Sequence, residues 1–509
     1  MQFETFLLTA YAATLATLGL YGLHRLLLLR RFDAHGLLED GRGSTPDRAR
    51  ERDPGPTAQA HTVAHTMAHT VARWPAVTVQ LPLYNESAVA ARLIRAVGAL
   101  RYPRDRFEVQ LLDDSTDETR SIVDEEAARL AAAGVDVRIV RREDRTGYKA
   151  GALATGMEQS HGELFCIFDA DFLPEPSFLE QLVPYFEEPS VGMVQARWEH
   201  CNREESWLTR AQATLLDGHF VIEHKTRHDR GLFFNFNGTA GLWRRETIES
   251  AGGWQHDTLT EDLDLSYRAQ LAGWKFVYVP RVAAPAEVPP EIAAFKSQQH
   301  RWAKGSVQVM RKLGVRIVRA RIPWRTKLEA LVHLSGNAGY PLVLLLAALL
   351  PLAPRWNIAH SYGIHWLLFF VYTLSVVLFY ERSQQALARP LGRRWLDGVA
   401  ALALGIGMCV SQTRAVIGGL SGTVGEFVRT PKRGAEDKDE AEPRKARSAY
   451  RARLSGLPGI ELLFAAWTSW GIARAVVEQR WGMLPFLVLF TGGFLWVGTL
   501  SLRSWMRPA

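Results

Sequence analysis

The stretch Leu164-Phe165-Cys166-Ile167-Phe168-Asp169-Ala170-Asp171 decides how this chain is read. Five apolar residues in a row fit a strand buried on both faces, as inside parallel sheets. The strand runs straight into Asp-x-Asp. In such sheets ligands bind beyond the carboxyl ends of the strands, so these two carboxylates stand where a site is expected. Together they can hold a hard divalent cation, Mg2+ or Mn2+, completed by substrate phosphates. A cation there would neutralise charge building on a departing diphosphate.

The surroundings agree. Short β-rich apolar runs at 76–83, 107–112, 135–140 and 164–168 alternate with helical patterns around 88–100 and 118–133. This predicts an α/β domain with a mostly parallel sheet over 74–312. Three further clusters sit at predicted element ends. Leu81-Pro82-Leu83-Tyr84-Asn85-Glu86 closes the first strand, where Asn85 is also a natural helix cap. Asp113-Asp114-Ser115 closes the second, with carboxylates suited to a base or ribose, or simply to a turn. Thr260-Glu261-Asp262-Leu263-Asp264 has the composition of a helix start, with Thr260 as cap and acids in the first turn. Its functional reading makes Asp262 a general base for a sugar hydroxyl. A fifth cluster, Gln298-Gln299-His300-Arg301-Trp302, lies in a helical stretch. Gln298, Arg301 and Trp302 share one helix face, pairing a phosphate-binding guanidinium with a flat apolar platform. Trp302 equally fits a helix lying beside a membrane.

The rest of the chain is membrane-like. Residues 6–29 form an apolar run with Glu4 before it and Arg30 and Arg31 after it, which reads as an anchor (1–32) with its inner end toward the cytoplasm. His24 and Arg25 are expected to snorkel at that end. Residues 33–73 read as a flexible linker, with His61, His65 and His69 in a low-complexity repeat. Runs at 331–352, 364–380, 458–475 and 483–502 are long enough to span a bilayer. The run 397–420 has basic residues on both sides, which predicts an interfacial or re-entrant helix, five spans in all and a cytoplasmic C-terminus. Residues 313–509 thus hold interfacial helices, about four further spans and a charged cytoplasmic loop (423–456). The net charge of +7 gathers beside the apolar runs, which argues against nucleic acid as a partner. Cys166, Cys201 and Cys409 lack disulfide or zinc spacing.

Taken in order, these clusters resemble a processive family 2 inverting glycosyltransferase of the cellulose synthase and cellulose-synthase-like (mannan or glucan synthase) type. The markers are the Asp113/Asp114 pair, Asp169-x-Asp171, Thr260-Glu261-Asp262 and Gln298-x-x-Arg301-Trp302. Gly147-Tyr148-Lys149-Ala150-Gly151 is similar to the family's Lys-Ala-Gly segment, and Phe236-Asn237-Gly238-Thr239-Ala240-Gly241 to its acceptor-side loop. Phe427-Val428-Arg429-Thr430-Pro431-Lys432 resembles the gating loop, with Arg429 in place of the family's Val.

The resemblance implies a GT-A catalytic domain in the cytoplasm, carried by transmembrane helices. It implies that Asn85, Glu86, Asp114, Lys149, Asp169, Arg301, Thr430 and Lys432 hold a nucleotide-sugar donor. Asp169 and Asp171 would bind Mg2+ or Mn2+, and Gln298, Trp302, Gly238 and Thr239 the acceptor. Asp262, with Glu261 beside it, would be the base. The expected product is a β-linked polysaccharide. UDP-glucose is the first expectation for the donor and GDP-mannose, for a mannan or glucomannan, the second. A transferase that glucosylates a lipid such as ceramide would share the donor motifs. A scaffold with a silent transferase domain would not need Asp169, Asp171, Asp262 and Arg301 all in place. An Arg-, Ala- and Gly-rich composition fits a bacterial cytoplasmic membrane, in contact with membrane lipid. An export partner or homo-oligomer is not encoded in any motif.

Overall fold

The computed structural model describes residues 2–37, 73–355, 362–421 and 456–506. A seven-stranded sheet forms the centre of the catalytic half, in the order β3-β2-β1-β4-β6-β5-β7. The strands are β1 Val77–Leu83, β2 Phe107–Asp113, β3 Asp136–Val140, β4 Leu164–Ile167, β5 Val191–His200, β6 Gly241–Arg244 and β7 Lys275–Ala286. All neighbours pair parallel except β6, which runs antiparallel to both β4 and β5. This is the GT-A architecture expected from the sequence. β4 is buried along its whole length, so its apolar run is fixed by the core on both faces. Two polar side chains inside the sheet satisfy each other, Gln80 donating to Gln110 Oε1 at 3.0 Å.

Helices α1 Gln2–Arg31, α2 Ala90–Gly98, α3 Thr119–Ala132, α4 Tyr148–Glu158 and α5 Trp207–Asp217 come first in the chain. After α5 the backbone widens into a π-helical segment, Gly218–His224, and then α6, Lys225–Asp229. Next come α7 Glu261–Leu271, α8 Ile292–Arg319, α9 Trp324–Ser335 and α10 Gly339–Leu349. The last are α11 Tyr362–Ala386, α12 Leu391–Leu420, α13 Leu457–Val477 and α14 Leu484–Met506. Among the described residues, five helical stretches are long and apolar enough to cross a membrane: Gln2–Arg31, Trp324–Leu352, Leu391–Leu420, Leu457–Val477 and Trp481–Met506. The expected span at 364–380 lies within α11, which packs along α1 with Gly22 closing on the backbone of Val371 and Tyr372.

Two expectations change. His24 and Arg25 do not snorkel outward. His24 pairs with Glu329 at 2.8 Å, and Arg25 donates to Ser375 Oγ at 3.0 Å and lies over the ring of Tyr372. Both face an internal cavity, where polar partners replace water. The run 397–420 is not re-entrant, because α12 is one unbroken helix of 30 residues, about 45 Å long. Its two ends meet catalytic-domain elements: Asp397 pairs with Arg210 of α5 at 2.6 Å, and the carbonyl of Gly419 accepts from Arg311 of α8 at 3.2 Å.

Buried polar contacts join the two halves. Arg203 contacts Asp217 and Gln384 of α11, each at 2.5 Å. Lys296 of α8, 3% exposed, meets Glu461 of α13, 0% exposed, at 2.5 Å and Ser501 of α14 at 2.6 Å. Removing one member of such a pair leaves a buried charge unmatched, at a cost of about 3–5 kcal/mol. Lys296→Met and Glu461→Met should each lower the melting temperature of the purified protein sharply. The double variant should recover most of the loss, and additive losses would refute the pairing.

Candidate active site

The chemistry gathers at the carboxyl ends of β1, β2, β4 and β5, around a cavity of about 170 Å³. Asp169 and Asp171 follow β4 into it. Asp171 is 7% exposed, and the Asp169 backbone N–H is fixed by Thr239 Oγ1 at 2.9 Å. Lys149, in the first turn of α4, meets Asp169 Oδ1 at 2.5 Å and the carbonyl of Gly238 at 2.8 Å. Its position depends on Gly151, where a Cβ would fall 2.1 Å from the Thr146 carbonyl and 2.5 Å from Arg142. A glycine in the Lys-Ala-Gly segment is therefore required by the closely folded loop before α4.

Glu261 and Asp262 open α7 and line the same cavity. Burial first, and then the Glu261 carboxylate, push Asp262 up to about 7, against the opposing Leu263 N–H and Lys149. Burial likewise raises Glu261, with Lys149 opposing. Thr260 does not cap α7 through its side chain; it packs against Gly305 of α8 instead. Gly238 has φ +81°, and a Cβ there would stand 3.1 Å from Asp262 Oδ2 and 3.5 Å from Lys149 Nζ. Gly238→Ala should therefore displace the Asp262 carboxylate and lower kcat about ten- to a hundredfold. Steady-state nucleotide release measures this, and a wild-type rate would show that the contact is not critical.

Arg301 and Trp302, from α8, complete the wall with Gln298 and Glu86. The charges of Glu261, Asp169 and Asp262 act on the Arg301 guanidinium, which burial pushes below its usual range. The ring of Trp302 lies 6.4 Å from that of Trp198, which packs in turn on Phe172 and Phe220.

Several expected residues take other places. Asn85 neither caps α2 nor lines the cavity. It adopts φ 54°, and its Oδ1 accepts the Thr116 N–H at 2.8 Å, joining two strand-end loops. Its neighbours Tyr84 and Glu86 face the cavity instead. Thr239 is 0% exposed, and its Oγ1 accepts the Asp169 N–H from behind the cavity wall. Asp113 is buried on Arg141 at 2.9 Å. Asp114 does line the cavity, with its carboxylate held by Arg142 at 2.5 and 3.1 Å. Thr430 and Lys432, like the histidine repeat at 61–69, lie outside the described residues.

Sequence reasoning missed Arg145, Tyr84, Trp198 and His200. The Arg145 guanidinium lies 3.2 Å over the centre of the Tyr84 ring and lines the cavity. The only signal was the run of arginines at 141, 142 and 145 just before the Lys-Ala-Gly segment.

Among the described residues, no group of three or more His, Cys, Asp or Glu side chains encloses a metal by itself. Two carboxylates beside a lysine and an arginine instead fit a cation shared with a diphosphate, the usual manner of Mg2+. A second cavity, of about 510 Å³, shares Trp198, Asn237, Thr260, Asp262 and Trp302 with the first and continues between α1, α10, α11, α12 and α14.

The model of the family "Glycosyltransferase like family 2" matches residues 75–305. Glucomannan 4-beta-mannosyltransferase 2 of Arabidopsis thaliana is 45% identical over 253 residues, 49% of this chain and 47% of its own. Glucomannan 4-beta-mannosyltransferase 1 of Cyamopsis tetragonoloba is 34% identical over 459 residues, 84% of this chain and 83% of its own. The chain thus spans about half the length of the relative from Arabidopsis and four-fifths of that from Cyamopsis. Among solved structures, the mannosyltransferase PcManGT from Pyrobaculum calidifontis, in complex with GDP-Man and Mn2+, aligns at a TM-score of 0.49 and 20% identity over 81% of this chain and 98% of its own. The named curated relatives are plant proteins and give the bacterial-membrane expectation no support. With a relative alike over more than four-fifths of both chains, this chain belongs to the family 2 glycosyltransferases of cellulose-synthase-like type.

Proposed function

We propose that this protein is a membrane-embedded inverting glycosyltransferase that extends a β-linked polysaccharide, with mannose from GDP-mannose as the donor sugar. The observation that carries the reading is the shared wall of the two cavities. Asp262 and Trp302 stand where a site lined by Lys149, Arg301, Asp169 and Asp171 adjoins the cavity between α1, α10, α11, α12 and α14. Mannose takes precedence over the glucose first expected, because the relatives from Arabidopsis and Cyamopsis are named as 4-beta-mannosyltransferases.

In this reading Lys149 and Arg301 bind the donor diphosphate. Asp169 and Asp171 would hold Mg2+ or Mn2+ against it, and such a cation stabilises a leaving diphosphate. Trp302 supports the acceptor sugar on its ring face. Asp262 takes the proton of the acceptor hydroxyl, which attacks the anomeric carbon from the side opposite the diphosphate. An α-linked donor then gives a β-linkage. The Arg145–Tyr84 stack at the rim offers a flat, cationic surface for the nucleobase. Helix α12, touching the catalytic domain at both ends, serves as an interfacial helix beneath it rather than as a span.

The test is nucleotide release by purified protein in vesicles, with GDP-mannose and UDP-glucose and with Mg2+ or Mn2+. The expected result is a preference of roughly tenfold or more for GDP-mannose and a long product cut by β-mannanase. A short or lipid-borne product would overturn the polysaccharide reading, and a preference for UDP-glucose the choice of sugar.

A further inference from the structure

The 510 Å³ cavity carries a cluster of polar groups that no step above uses. It sits on the π-helical segment Gly218–His224, whose wider turn places His219 and Glu223 on the cavity wall. Such segments inside α-helices recur at functional sites. His219 Nδ1 lies 3.2 Å from Glu223 Oε2, and His219 Nε2 lies 3.1 Å from Asn237 Oδ1. Asn237 Nδ2 in turn lies 2.9 Å from His224 Nε2. Arg227, fully buried, donates to Glu223 Oε1 at 3.1 Å and so fixes the carboxylate. Burial opposes ionisation of Glu223, but His219 and then Arg227 hold it well below the usual carboxylate range.

The cluster is ordered yet still reachable, since the side chains of His219 and Glu223 remain 28% and 24% exposed. Its position relative to the reaction is defined. Asn237 lines both cavities and precedes Gly238, the residue that abuts Asp262. His219 and Glu223 line only the membrane-side cavity, as does the aromatic Phe220, which packs on Trp198 at 5.0 Å. An imidazole, a carboxylate and an amide beside a group of packed aromatic rings are the groups that recognise a sugar, its faces by apolar contact and its hydroxyls by hydrogen bonds.

We propose that His219, Glu223 and Asn237 form a binding site for the hydroxyl groups of the acceptor's penultimate sugar, the ring behind the one that Asp262 deprotonates. This rests on the polysaccharide reading above. The site fixes the chain end in register with the base and selects which acceptor chains are extended.

The test uses full-length protein in vesicles with a soluble primer, β-1,4-mannotetraose, and the variants His219→Phe and Glu223→Gln. His219→Phe keeps the ring volume and leaves the Glu223–Arg227 pair in place while removing both nitrogens. Each variant should raise the primer KM about tenfold or more, with donor KM and kcat moving by less than about threefold. A primer KM within twofold of wild type in both variants would overturn the proposal. So would parallel rises in primer and donor KM, which would mark a purely structural role. If wild type releases nucleotide but extends no primer, the polysaccharide reading itself fails and this inference falls with it.

Discussion

Asp262→Asn is expected to lower kcat by roughly 10²–10⁴-fold with little change in donor KM. The amide keeps the shape and the hydrogen bond from Leu263, so donor contacts at Lys149 and Arg301 survive while the proton acceptor is lost. The same residue sets the pH dependence. In the proposed role its working form is the carboxylate, and burial together with Glu261 pushes its pKa up to about 7. Below that pH the protonated form accumulates, so kcat/KM should fall about tenfold per unit as pH drops and level off above it. Glu261→Gln removes the like charge next door, which should move the limb to lower pH. Nucleotide release measured from pH 5 to 9 checks both. A limb with the position of an ordinary exposed carboxylate, or one unmoved by Glu261→Gln, would remove Asp262 from the role of base.

What could be read in the sequence depended on whether one local pattern fixed the structure. Of the first four strands, β1, β2 and β4 were legible because each is a buried apolar run ending in a polar cluster, β4 with Asp169 and Asp171 being the strongest case, whereas the largely exposed β3 showed only in its alternating Val137 and Ile139. The later strands were not. β6 has only four residues and runs antiparallel, while β7 carries Pro280 and Pro285, residues tolerated there because it is an edge strand. The same division holds in the site. Lys149, Arg301, Trp302 and Asp262 converge as their motifs imply. Asn85 and Thr239 do not, because side-chain direction depends on a left-handed backbone at one and on burial at the other. Arg145 over Tyr84 joins residues 84 and 145, and Trp198 meets Trp302 across the fold, so neither contact leaves a mark in local sequence. The charges of the first helix misled for a related reason. His24 and Arg25 have partners in α9 and α11, half-buried Glu329 and buried Ser375, which periodicity cannot supply.

Asp171→Asn should lower kcat/KM by about 10²–10³-fold at a fixed low concentration of Mn2+ or Mg2+, corresponding to several kcal/mol of lost charge stabilisation at the leaving diphosphate. The two carboxylates of Asp169-x-Asp171 are not equivalent. Asp169 is drawn to Lys149 at 2.5 Å, so its charge is already partly matched by the protein. Asp171 is the more deeply buried of the two and lines the same cavity, which makes it the carboxylate whose loss a cation would feel most. The variant should therefore need a metal concentration more than about tenfold higher for half-maximal nucleotide release, and excess metal should restore part of the rate. Asp169→Asn should combine a metal effect with a donor effect, because it also leaves Lys149 without its carboxylate partner. Chelation should abolish release by wild type. If Asp171→Asn titrates with metal as wild type does, the diphosphate charge is met by Lys149 and Arg301, and Asp171 serves only to shape the loop after β4.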